Sequence, residues 1–493
     1  MLMLENRSFD HMLGFSGVVG TDAATGARST PDGLVGLLGV NTDPATGRAV
    51  VASTPADYFI TAQDRDPGHE FANVVEQLCG PHVVYQPKAG YPPIDNSGFV
   101  SSYRATGSAR PDRIMQCFAP AQLPVLNALA REFAVCDRWF SALPGPTWPN
   151  RLFVHAASSG GLDDSPSNWD KVAGYVLDGY HFDNGTIFDR LGDNHIPWEV
   201  VAGDEFPQVL ALRGMGRNLL AGHFSRAATF GERLRDPGYR PRYVFIEPDY
   251  GDVLFGARDF RGGNSQHPLG DVTSGERLVK TVYEAIRNSP HWEHSVLVIT
   301  YDEHGGFYDH VSPPPAVPPG DQISFPHNNH HDFTFDRLGV RVPAVVISPL
   351  IPRGTIDHTV YDHSSVLATV ARLFGLRPLT HRDAAAHDLL HLLTLPEPRR
   401  DTPTTLPEPA DSGISEPDDT AHATAPPAVA DAVRSPAFWG AFAVAMRRHL
   451  TVAPAEHRHH IRQRASEVRD PAEALTLITQ ASAAVRAHRD NDS

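Results

Sequence analysis

Cysteine is scarce in this chain. Cys79, Cys117 and Cys136 are the three in 493 residues, and no two have C-x-x-C spacing. That excludes a disulfide scaffold and a thiolate zinc site, and the three read as small core residues. Basic charge is also short: 42 Lys and Arg face 58 Asp and Glu, a formal net charge of −16 with no lysine-rich run. A nucleic-acid partner is disfavoured, as is steering of an anionic substrate by a broad positive field. No apolar stretch approaches the ~20 residues that span a bilayer, so no transmembrane segment is expected and at most transient contact with a membrane surface. G-x-S-x-G and the P-loop are both missing, which removes the signatures of a serine hydrolase and an NTPase. The "HEFAN" after the glycine at 68 lacks the second His of H-E-x-x-H, and "GMGRNL" has two of the three dinucleotide-fold glycines without a preceding strand.

What is present is α/β patterning. Tyr243–Ile246, Val296–Tyr301 and Val342–Ile347 are short apolar runs expected as buried strands. Between the first two, "TSGERLVKTVYEAIRNS" carries Leu278, Val279, Val282, Tyr283 and Ile286 on one helical face, with Thr273 and Glu276 in capping-box spacing. Residues 362–375 predict a second helix, with Asp362 as N-cap and Gly375 as its stop. Met1–Leu4 resembles the tail of a strand whose beginning is missing. That leaves no room for a secretory signal and leaves localisation unread. From about 396 to 429 the sequence turns to Pro, Asp, Thr, Ala and Glu and is expected as a linker. Residues 430–493 follow as a helical appendage, with "SPAFWGAFAVAMRRHL" and "DPAEALTLITQASAAVRAHR" as its helices.

Two stretches carry chemistry. "VLVITYDEHGGFYDHVSPPP" ends a strand on Asp302, Glu303 and His304, at the sheet edge where open α/β folds bind ligands. In "LPGPTWPNRLFVHAASS", Pro149 places Thr147 at or just before a helix N-terminus. There it is either an ordinary N-cap or a hydroxyl nucleophile beside a phosphate site. The pattern Thr147, Trp148, Pro149, Asn150, Arg151 resembles the nucleophile motif of the alkaline phosphatase and sulfatase superfamily. Threonine cannot yield the formylglycine of sulfatases, which favours phosphoryl chemistry.

With "LMLENRSFDHMLGF", "DPGHEFANV", "NSQHPLGDVTSGERLVKTVYEAIRNSPHW" and "VITYDEHGGFYDHVSPP", the chain resembles the bacterial phospholipase C and acid phosphatase family, which includes plant non-specific phospholipases C. The likeness spans nearly all of residues 1–395. It implies an alkaline-phosphatase-like sandwich: a mostly parallel central sheet flanked by helices. It implies Thr147 as nucleophile with Arg151 in the same motif, and Glu5, Asn6, Asp302 and Glu303 gathered around it. In the acid phosphatase branch such groups hold one metal ion, whereas plant-like enzymes are often described as needing none added. One divalent cation and metal independence therefore both stay open. Three close carboxylates without a cation would need at least one proton among them.

His69, His267 and His304 are candidates for protonating the leaving alkoxide and activating water, with His363 a weaker fourth. His155 is expected to pack structurally, and His327, His330 and His331 to fill a loop. The expected activity is phospholipase C through a phospho-threonine intermediate, acting on a phospholipid or small phosphoester. The alternatives are an acid phosphomonoesterase or an inactive lipid-binding protein, and the likeness makes export conceivable.

Overall fold

The computed structural model describes residues 1–61, 64–165, 180–203, 207–215, 218, 222–251, 260, 262–321, 329–414 and parts of 442–484. Its twelve described strands are β1 (Leu2–Leu4), β2 (Gly20–Asp22), β3 (Arg28–Ser29), β4 (Val40–Thr42), β5 (Ala49–Val51), β6 (Ala134–Cys136), β7 (Trp198–Ala202), β8 (Phe224–Arg226), β9 (Tyr243–Glu247), β10 (Leu297–Tyr301), β11 (Ala344–Ile347) and β12 (Thr355–Asp357). Ten form one sheet in the order β3-β2-β12-β6-β11-β10-β1-β9-β7-β8, and β4–β5 make a separate hairpin. The pairs β1–β10, β1–β9, β9–β7, β7–β8, β12–β6 and β12–β2 are parallel. Only β11 against its two neighbours and the edge pair β2–β3 are antiparallel. The α/β sandwich with a mostly parallel sheet is therefore present.

The central strands carry no polar face. β1, β10, β11 and β6 are buried at every residue, as a sheet covered on both sides requires. The helix Val272–Arg287 covers one face, burying Leu278, Val279, Val282 and Tyr283. Its start differs from the capping-box expectation. Asp271 caps it by accepting from the Thr273 N–H at 2.9 Å. Glu276 instead accepts the Val125 and Leu126 N–H groups, both at 2.8 Å, and so caps the neighbouring helix Pro124–Glu132. The helix Ser364–Phe374 ends at Gly375 with φ +66, as expected, but its N-cap residue is His363 and not Asp362, whose carboxylate accepts the Ser364 N–H at 2.6 Å from one position further out.

Residues 399–412, inside the stretch expected as a linker, lie along the Val272–Arg287 helix. Tyr283 donates to Pro403 O, Lys280 to Leu406 O and Arg287 to Thr402 O. Residues 415–441 lie outside the described residues, as do parts of both expected C-terminal helices. The described residues there include a helix the sequence pattern did not indicate, Ala455–Glu467. Phe442, Ala445, Met446, Ala465, Val468, Ala474, Leu477 and Ala481 form a small cluster of their own. No helix among the described residues is long and apolar enough to cross a membrane.

Candidate active site

Parallel pairing of β1 with β10 sets Leu4 opposite Tyr301, so both strands end side by side. Glu5 and Asn6 leave one, Asp302 and Glu303 the other. The chain ties the ends together: Asp302 N–H donates to Leu4 O at 3.2 Å and Arg7 N–H to Glu303 O at 2.9 Å. Asn6 adopts φ +57, a left-handed turn that asparagine tolerates, and its N–H donates to Asp302 Oδ1 at 3.0 Å.

The helix Thr147–Ala156 points its N-terminus at this edge. Thr147 is its first helical residue and the cap is Pro146, so the threonine hydroxyl is not spent on capping. It donates to Asn6 Oδ1 at 3.3 Å. One turn on, Arg151 donates from Nε to Asp302 Oδ2 at 2.9 Å and lies 3.8 Å from Glu5 Oε1. Its guanidinium stacks over Tyr250, 5.3 Å from the ring centre. Glu5, Asn6, Arg151, Asp302 and Glu303 are each at most 3% exposed.

Burial drives the titration of these groups. Desolvation pushes Glu5 up to about 8 against the pull of Arg151, with Asp302 adding repulsion. Desolvation also raises Asp302, opposed by Arg151. Several buried polar atoms here have no protein partner: Glu5 Oε2, Asn6 Nδ2, Arg151 Nη1 and Glu303 Oε1. Buried unpaired groups cost free energy, so this cluster of both signs calls for polar partners that the protein itself does not supply.

The histidines separate. His69 is half-buried, with Nδ1 against Pro67 O at 2.9 Å. Desolvation lowers its pKa, but Glu303, Asp66 and Glu70 outweigh that and bring it to about 9. His267 lies 3.7 Å from Asp66 and stacks on Phe260. Burial, with His69 and Arg7 nearby, holds it well below its usual value. His304 is fully buried, one nitrogen against Gln77 Oε1 at 2.7 Å and the other 3.3 Å from Glu303 Oε2. Burial lowers it. His363 meets Asp302 O at 2.6 Å and accepts from Trp139 Nε1 at 3.3 Å. His155 packs between Phe188 and Phe245, and burial depresses it to about 3. The His330 and His331 N–H groups bind Asp163, and His331 stacks on Phe71. His327 lies outside the described residues.

Sequence reasoning missed Asp66, Gln208, Glu247 and Tyr250, which surround the same cluster. Gln208 donates to Glu5 Oε1 at 3.3 Å, and Tyr250 to Glu247 Oε2 at 3.3 Å. "YVFIEPDYGD" offered a signal, since Glu247 ends β9 beside β1.

Residues 1–377 fit the family model described as "Phosphoesterase family". The chain belongs to the phosphoesterase family. This phosphoesterase is 37% identical over 425 residues to Non-specific phospholipase C3 of Arabidopsis thaliana, covering 83% of this chain and 75% of that one. To Phospholipase C B of Mycobacterium tuberculosis (strain ATCC 25618 / H37Rv) it is 27% identical over 454 residues, covering 83% and 80%. A solved protein in the alkaline phosphatase superfamily from Vibrio parahaemolyticus superposes with TM-score 0.31 at 13% identity, covering 54% of this chain and 64% of that one. The fold rests on the strand order and not on that superposition. The phosphoesterase is a phosphoric ester hydrolase.

For a metal, Glu5, Asn6 and Glu303 offer oxygen donors that suit a hard cation, with Glu5 Oε2 and Glu303 Oε1 unpaired, whereas both Asp302 oxygens are already engaged, Oδ1 by the Asn6 N–H and Oδ2 by Arg151. Among the described residues, the one trio with ligand atoms within 4.8 Å of one another is Asp10, Asp309 and His310. Arg341 already spans it, donating to Asp309 Oδ1 at 2.8 Å and Asp10 Oδ1 at 3.1 Å, while His310 Nδ1 meets Asp10 Oδ2 at 2.7 Å. That trio holds a guanidinium where a cation would sit.

Proposed function

We propose that this protein is a phospholipase C, cleaving a phospholipid to diacylglycerol and a phosphorylated head group with Thr147 as nucleophile. The observation that carries the reading is the Thr147 hydroxyl itself. It is free of capping duty, oriented by Asn6 at 3.3 Å, and set at a helix start beside buried polar atoms of both signs. A phosphate there is met by the positive helix end and the Arg151 guanidinium, which stabilise charge developing on its oxygens.

Thr147 Oγ1 attacks phosphorus, the bond to the diacylglycerol oxygen breaks, and the hydroxyl proton passes into the carboxylate cluster. His69, protonated near neutrality, donates to the departing alkoxide; the neutral imidazole then takes a proton from water as it attacks the phosphorus bound to Thr147, and the carboxylate cluster returns its proton to Thr147 Oγ1 as that P–O bond breaks. His267, held neutral beside Asp66, positions the water. His304, with both nitrogens engaged, is read as a support for Glu303 and not as a proton donor. A divalent cation held by Glu5, Asn6 and Glu303 would supply Lewis-acid polarisation of a phosphoryl oxygen.

Phosphatidylcholine and p-nitrophenyl phosphate turnover test the reading. Wild type is expected to release diacylglycerol, and Thr147→Ala to lose at least about 10³-fold in kcat. Thr147→Ser should keep part of the activity. Acid-quenched protein should carry a phosphoryl group on the peptide containing Thr147. Lipid turnover undiminished in Thr147→Ala ends the proposal. The second reading, a phosphomonoesterase of acid optimum, is favoured by the protonated Glu5. It predicts p-nitrophenyl phosphate hydrolysis without diacylglycerol release.

A further inference from the structure

Residues 33–42, "GLVGLLGVNT", contain no ionisable side chain in a chain that is 20% Asp, Glu, Lys and Arg. Val35, Leu37 and Leu38 are 65%, 55% and 74% exposed, and Val40 and Val51, paired across the β4–β5 hairpin, are exposed beside them. Single exposed apolar residues are ordinary, but five on two adjoining segments form a patch.

The patch is held rigidly. Leu34 is buried, its N–H donating to Gly14 O at 2.6 Å, and the Leu37 N–H closes a turn onto Leu34 O at 3.1 Å. Gly36 takes φ +83, which favours glycine. Gly39 lies so close to Tyr308 that a Cβ would stand 2.9 Å from its ring, and it accepts the Ala52 N–H at 2.8 Å. The backbone of the turn is therefore pinned with three large apolar side chains facing water.

It also projects from the edge of the sheet that bears the candidate site. β10 and β6 both run antiparallel to β11, so they run parallel to each other and end on one edge. Asp302 follows β10, and Asp137 follows β6. Asp32, which leads into the turn, is fixed there by its N–H donating to Asp137 Oδ2 at 2.6 Å. Tyr308, against Gly39, follows Asp302 by six residues.

We infer that the Leu34–Gly39 turn and the β4–β5 hairpin dock this protein on a zwitterionic lipid bilayer, with Val35, Leu37 and Leu38 entering the acyl boundary. The inference rests on the phospholipase reading, because a bilayer phospholipid presents its scissile ester at head-group depth and must be approached by this edge. Charge selects the surface: a chain of net charge −16 is repelled by anionic lipid, whereas an uncharged patch meets phosphatidylcholine without that cost.

The test uses full-length protein, phosphatidylcholine vesicles, and short-chain phosphatidylcholine kept below its micelle concentration. Leu37→Glu/Leu38→Glu should lower both vesicle co-sedimentation and vesicle hydrolysis by roughly tenfold or more, while monomeric-substrate turnover stays within about twofold and the thermal melt is unchanged. Leu37→Ala/Leu38→Ala should give an intermediate loss. Vesicle binding equal to wild type in the double Glu variant overturns the inference, as does a wild type that dimerises through this patch and becomes monomeric in the variant. If wild type sediments with vesicles but cleaves neither lipid, the phospholipase reading fails while the docking surface stands.

Discussion

Single buried charges decide much of this molecule's behaviour. His310 sits between Asp10 and Asp32 at 2.7 and 3.1 Å, and its pKa is raised to about 10: burial opposes the proton, but the two carboxylates outweigh burial. A histidine with a raised folded-state pKa contributes stability that is complete below its unfolded value near 6.5 and is lost as pH rises through about 10. His310→Gln is therefore expected to cost about 3 kcal/mol at pH 6 and to converge on wild type above pH 10, as read by urea unfolding across pH. Metal occupancy is tested at the same scale. A divalent cation that binds at Glu5 and Glu303 should raise Tm with concentration, and Glu5→Gln or Glu303→Gln should abolish that rise without reference to turnover. Asp302 was legible in the sequence as the polar end of an apolar run, whereas Asn6 was reached only through the family resemblance. Asp66 and Gln208 were not, since their place beside the cluster comes from loops whose course no periodicity records.

At the scale of elements, Glu276 shows where local pattern misleads. Its spacing from Thr273 fits a capping box, yet its carboxylate serves the helix Pro124–Glu132, whose first N–H groups have no other acceptor at that end. Desolvation raises it to about 7, partly offset by those two donors. Glu276→Ala should cost about 2–3 kcal/mol in chemical denaturation, above the effect of an exposed cap, because it strands two buried donors. The strands Tyr243–Glu247, Leu297–Tyr301 and Ala344–Ile347 were legible as apolar runs to within two residues. β6 and β12, with three residues each, are too short to carry a period. The reversed direction of β11 is set by its partners and leaves no trace in its composition.

Across the whole molecule, residues 399–412 act as a strap over the Val272–Arg287 helix, anchored by Arg399 to Glu132 and by backbone carbonyls that satisfy Lys280, Tyr283 and Arg287. A chain stopped at residue 395 should retain turnover but melt about 5 °C lower, because those side chains lose their acceptors; calorimetry of the two lengths checks this.

The pairing of β1 with β9 and β10 also bears on how the protein is made. Leu2–Leu4 lies between segments some 240 and 300 positions downstream, and the residues at its end depend on those neighbours for their geometry. During translation this strand stays unpaired until its partners, about 240 and 300 positions further on, have left the ribosome. Synonymous slowing of elongation before position 300 should therefore lengthen its exposure to aggregation, and a holding chaperone should raise the soluble yield.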